Sequence, residues 1–99
     1  MDTKGFQLDC TRPDTVLVSG RLSFATAAGA LDALNGVFAR SGARHLDLAD
    51  VEGCDSAGLA CVLAVLAEAS GAGRPLHVHN VPPGLRALAQ VSGVAALIG

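Results

Sequence analysis

Asp55-Ser56-Ala57-Gly58-Leu59-Ala60-Cys61-Val62-Leu63-Ala64-Val65-Leu66-Ala67 is the stretch on which the fold turns. An acid and a hydroxyl stand at its head, and the eleven residues from Ala57 to Ala67 carry no polar side chain. The run is rich in Ala and Leu, which predicts a helix. Leu59, Val62, Leu63 and Leu66 recur at helical spacing and are expected to face inward. Cys61 and Val65 then point roughly the opposite way, with Ala60, Ala64 and Ala67 on the flank between. A domain of 99 residues rarely wraps a helix on every side. Part of this apolar surface is therefore expected to lie open in the isolated chain and to be covered by a partner.

Working outward, the stretches on either side read as short strands and helices. Phe6 to Leu8 and Thr15 to Ser19 predict two strands, and the turn chemistry of Thr11-Arg12-Pro13-Asp14 joins them as an antiparallel hairpin. Gly20 is expected to end the second strand. Ala25 to Arg40 predicts a helix with Ala28, Leu31, Leu34 and Phe38 on one side, stopped by Ser41-Gly42. His45 to Ala49 alternates as a strand covered on one face by Leu46 and Leu48. Gly71-Ala72-Gly73 ends the central helix, Pro75 to His79 predicts another strand, and Pro82-Pro83 opens a third helix through about Val91. Leu97-Ile98 is either a last strand or a tail. The order β-β-α-β-α-β-α(-β) predicts one α/β domain over residues 1–99, with a mixed, mostly parallel sheet and helices on one face.

Composition narrows the function. Half the residues are hydrophobic, Trp and Tyr are absent, and the net charge is −2. No basic stripe with interleaved aromatics is present, which argues against nucleic-acid binding. No apolar stretch approaches the roughly 20 residues needed to cross a bilayer, so direct membrane insertion is not expected. Met1-Asp2-Thr3-Lys4 lacks the pattern of a signal peptide. Cys10, Cys54 and Cys61 show no CxxC spacing and read as reduced thiols of a cytoplasmic protein.

Several residues invite chemistry. Asp55 and Ser56 either cap the central helix or form a partner-facing site. Gly58 permits close approach of another backbone, a partner's or that of the domain's own sheet. Asp47, Asp50, Glu52 and Asp55 cluster in sequence around one strand end and are expected to form a solvated acidic rim rather than an acid–base or metal site. His45, His77 and His79 lack an acidic or thiolate ligand at recognised spacing and read as solvated strand residues. No His stands in recognisable relation to Cys54, which is expected to pack under the helix head rather than act as a nucleophile. Ser70-Gly71-Ala72-Gly73-Arg74 follows a helix and precedes a strand, the reverse of a phosphate loop, and reads as a helix stop. No enzyme activity, cofactor or metal is expected.

Val18-Ser19-Gly20-Arg21-Leu22, Leu46-Asp47-Leu48 and above all Asp55-Ser56-Ala57-Gly58-Leu59 resemble the STAS domain family. It takes in anti-sigma factor antagonists, the cytoplasmic tails of sulfate transporters, and the MlaB subunit of the phospholipid-trafficking ABC transporter. Asn80-Val81-Pro82, Leu85 to Val91 and Gly93-Val94 are most similar to the MlaB branch. That resemblance implies a non-enzymatic accessory subunit that binds and supports an ABC transporter ATPase at the cytoplasmic face of the inner membrane. Its partner surface would comprise Asp55, Ser56, Ala57, Gly58, Leu59, Cys61, Val62 and Val65. The alternative that the resemblance implies is an anti-sigma factor antagonist with Ser56 as phosphoacceptor for a serine kinase. Either way, the unpartnered chain could pair with itself as a homodimer through the same apolar surface.

Overall fold

The computed structural model describes residues 5–98; Met1 to Lys4, read above as lacking a signal pattern, lie outside them. The elements are β1 (Phe6–Asp9), β2 (Thr15–Leu22), α1 (Ala27–Ser41), β3 (His45–Cys54), α2 (Ser56–Gly71), β4 (His77–His79), α3 (Pro83–Val91) and α4 (Ala95–Ile98). The sheet order is β1-β2-β3-β4, with β1 antiparallel to β2 and the other two pairings parallel. This is the mixed α/β sheet expected from the order of elements.

Strand alternation shows which face the helices cover. Val16, Val18, Leu46 and Leu48 are buried while their neighbours Thr15, Leu17, His45 and Asp47 are only half-buried. The inward residues meet Ala30, Leu34 and Phe38 of α1, Leu59, Val62 and Val65 of α2, and Leu85 and Ala89 of α3 in one core. Aliphatic side chains of this size, removed from water, supply the main stabilising contribution, about 1.5–3 kcal/mol each for a Val or Leu.

Four expectations need correction. Gly20 does not end β2, which runs on to Leu22. It takes φ +94° at an irregularity in the β2–β3 pairing, and a Cβ there would stand 2.5 Å from the Gly5 carbonyl oxygen. Only a glycine fits both the backbone angle and the close approach. β3 continues past Ala49 to Cys54 because the pairing shifts between Asp47 and Asp50, opposite Leu17 and Ser19. The extra residue breaks the two-residue period, so Leu48 and Val51 both face the core while Ala49 and Asp50 are exposed. Ala28 is exposed, and Ala30 takes its expected place in the inward stripe of α1. Leu97-Ile98 is neither strand nor tail. Gly93 at φ +75° turns the chain, Val94 N–H donates to the Ala89 carbonyl at 2.9 Å, and α4 brings Ile98 into the core.

Candidate functional site

The head of α2 is built around Asp55. Its Oδ1 accepts the Gly58 N–H at 3.0 Å, and its Oδ2 accepts the Phe24 N–H at 3.0 Å. The first bond caps the helix, in the way that an acid just ahead of the first turn does. The second reaches across to the loop between β2 and α1. These two N–H donors, Phe24 first, hold the Asp55 carboxyl below the usual carboxylate range. The same loop is locked from inside by Thr26, whose hydroxyl accepts the Ser23 N–H at 2.9 Å and donates to the Arg21 carbonyl at 2.8 Å. Asp55 and Thr26 together fix the loop in a conformation that leaves Phe24 87% exposed.

Ser56 is the first residue of α2 and is exposed. Because Asp55 makes the cap, the serine hydroxyl is free of that duty. Gly58 is buried against its own sheet: a Cβ there would stand 2.0 Å from the Leu22 carbonyl oxygen. Of the two readings left open for Gly58, the internal one explains its missing side chain.

The orientation of α2 corrects the expected partner face. Cys61 and Val65 do not point outward; they are 4% and 1% exposed, and Gly58, Leu59 and Val62 are buried with them. Leu63 and Leu66 are only half-buried. At 100° per residue the buried arc is turned by about a quarter of a circle from the one that leucine spacing alone suggests. The reason is that α1 packs beside α2 as well as the sheet beneath it, so residues on two flanks are covered.

What α2 leaves open is its small side chains. Ala60, Ala64 and Ala67 are exposed and Ala57 is half-buried. Phe24, Ala27, Ala28 and Leu31 face Ala57, Ala60 and Ala64 across a shallow apolar groove between α1 and α2, with the edge of Cys61 in its floor. Phe24 lines this groove, and exposed Ser56 directly precedes Ala57 of its wall. Phe24 escaped sequence reasoning; the available signal was a lone large aromatic in a turn just before a helix.

The acidic residues divide. Asp50, Glu52 and Asp55 lie toward the carboxyl end of β3, whereas Asp47 lies near its start, about 10 Å from Asp50 and roughly 25 Å from Asp55 along an extended strand. Asp47 belongs to a separate group, bonded to Arg12 at 3.4 Å and to the Asn80 amide at 3.0 Å. The single acidic rim is therefore not formed. Cys54 has the wrong electrostatics for a nucleophile: burial and the Asp55 charge push its thiol up. Among the described residues no three His, Cys, Asp or Glu side chains could hold a metal ion together, and no helix is long and apolar enough to cross a membrane.

A mixed sheet screened on one side by helices, with a capped and exposed helix head beside an apolar groove, defines a small α/β domain. Residues 7–99 match the family model described as "Mlab, STAS domain". The chain belongs to this STAS domain family, whose members serve as protein-interaction modules. Its fold is similar to that of the anti-sigma factor antagonist SpoIIAA in its unphosphorylated form, with a TM-score of 0.71, 19% identity, and coverage of 95% of this chain and 85% of that one. It is also similar to the Bacillus cell fate determinant SpoIIAA in the phosphorylated form, with a TM-score of 0.67, 19% identity, and coverage of 95% and 88%. At this identity the likeness shows the fold. No curated protein matches the chain.

Proposed function

We propose that this protein is a non-enzymatic accessory subunit that docks on the ATPase subunit of an ABC transporter for phospholipid trafficking, at the cytoplasmic face of the inner membrane. The observation that carries the reading is the match of residues 7–99 to the MlaB-type STAS model. The apolar groove lined by Phe24 and the alanines of α1 and α2 supports it, since it offers a partner a ready-made surface. Phe24, Leu31 and the alanines of α2 receive an apolar side chain or helix of the ATPase, and Asp55 holds the rim in shape. The mechanism is mechanical: the subunit braces the ATPase, which performs the chemistry. Burying an exposed phenylalanine contributes about 1.5–3 kcal/mol before the cost of association is subtracted. Co-expression with the cognate ATPase tests this. The two should co-purify, and removal of this chain should lower ATP turnover; separate elution with unchanged turnover contradicts the proposal.

A second reading, an anti-sigma factor antagonist switched by phosphorylation of Ser56, is favoured by one observation. The serine hydroxyl is exposed and spared from capping. A phosphate there would add about −1.5 to −2 charges at the positive end of the helix dipole, which the fold tolerates. A partner surface fitted to a neutral hydroxyl beside Asp55 would be repelled. Intact mass after incubation with a cognate serine kinase and ATP separates the readings: a phosphoryl adduct on Ser56 favours the switch.

A further inference from the structure

The open face of the sheet carries a group of side chains that the docking surface does not use. Parallel pairing sets His45 opposite His77 and Asp47 opposite His79. All four side chains therefore project from the same face, two from each strand. The His45 ring stacks on that of His77, with centroids 5.3 Å apart, and leans across to His79, with centroids 5.0 Å apart. The outcome is a convergence that sequence spacing does not disclose: His45 Nδ1 lies 2.8 Å from His79 Nε2. Both rings line a surface concavity together with Asp14, Thr15, Asp47 and Asn80, and Arg12 stands at its edge.

We infer that His45 Nδ1 and His79 Nε2 form a two-imidazole site for a borderline divalent cation of the zinc class, with water in the remaining positions. Geometry, donor chemistry and charge all favour such an ion. First, geometry: two nitrogens held about 2.0–2.1 Å from zinc at a tetrahedral angle lie about 3.3 Å apart. The pair must open by about half an ångström, and each ring must turn by about 35° so that both lone pairs meet at the ion. Second, donor chemistry: neutral imidazole suits zinc, copper and nickel, whereas calcium and magnesium take oxygen ligands. Third, charge: Asp47 stands beside His79 across the strands and lines the same concavity. Its negative charge faces the pair. Arg12 opposes it only through a 3.4 Å contact from a largely exposed side chain, which can swing into water.

An N···N hydrogen bond between His45 and His79 needs one ring to donate and the other to accept. To bind the ion, the donating ring moves its proton to its other nitrogen, and no net proton is released. His77 lends its face to His45 and contributes no ligand nitrogen.

The test uses the full-length chain with Cys10→Ser, which removes the exposed thiol as a rival ligand. Zinc chloride is titrated in a buffer free of chelators while long-range proton–nitrogen spectra follow the imidazole rings. One ion per chain is expected, with His45 Nδ1 and His79 Nε2 shifting and the His77 ring nitrogens unmoved. His45→Gln and His79→Gln should each weaken binding by about tenfold or more, and His77→Gln by less than about threefold. No saturable shift up to about 1 mM zinc overturns the inference, as does an equal loss in all three variants. The ring spectra of the protein with all three histidines decide the matter even where a variant folds poorly.

Discussion

Replacing Gly58 by Ala puts a methyl group where the chain has already placed the end of β2. The added Cβ would stand 2.0 Å from the Leu22 carbonyl oxygen, 2.7 Å from its carbon and 3.0 Å from Leu22 Cβ, where 3.4–4 Å is ordinary contact. The helix head or the strand end must then move by more than an ångström. Neither is free to do so. The Leu22 carbonyl accepts the Asp55 N–H at 3.2 Å, and the Asp55 carboxylate holds both the Gly58 and the Phe24 N–H groups. Overpacking costs about 1–3 kcal/mol, and a disrupted cap about 1 kcal/mol more. Alanine's better helix propensity returns up to about 1 kcal/mol. The net loss is then about 1–3 kcal/mol, or a Tm lowered by about 5–15 °C for a domain of this size. Thermal and urea unfolding followed by circular dichroism measures it, with Gly71→Ala as control because nothing lies within 4 Å of a Cβ at that site. A Gly58→Ala protein that melts at or above the parent temperature would refute the reasoning.

Four further outcomes follow from the same geometry. Phe24→Ser and Ala64→Arg alter exposed positions, so each should leave stability within about 0.5 kcal/mol while weakening the ATPase complex at least tenfold in a binding titration. Ser56→Glu should fold normally and bind the partner less well than Ser56→Ala, as read by the same titration. The folded-state carboxyl of Asp55 lies below its ordinary value; its contribution is therefore complete above about pH 4 and lost as pH falls through the lower folded value. Asp55→Asn should accordingly flatten the acid limb of a stability–pH profile. With a thiol reagent, Cys10 should react at once, whereas buried Cys61 should wait for unfolding; rapid labelling of both would contradict the burial described for α2.

The order of elements and the stop signals were legible because period, turn chemistry and glycine position all act locally. What escaped reading depends on neighbours. Leu63 and Leu66 are as apolar as Leu59, and nothing within α2 discloses that α1 covers the Cys61 and Val65 side. The shift in β3 arises from its pairing with β2, so the strand's second half lost its alternation and went unread. Gly20 reads as a strand end, yet it stays inside β2, where Gly5, just ahead of β1, approaches it closely. Ser56 and Asp55 were legible as a helix head, but Phe24, 31 positions from Asp55 in sequence, joins them through a backbone hydrogen bond that no spacing rule encodes. The histidines were visible as residues, whereas their convergence requires the register of β3 and β4.

Amide hydrogen exchange of this chain, free and bound to its cognate ABC ATPase, examines the docking surface most directly. Binding should slow exchange over residues 23–31 and 56–64, the two walls of the α1/α2 groove, and leave the histidine-bearing face of the sheet unchanged. Protection confined to that open face, or none at either helix in a complex that demonstrably forms, would contradict the account.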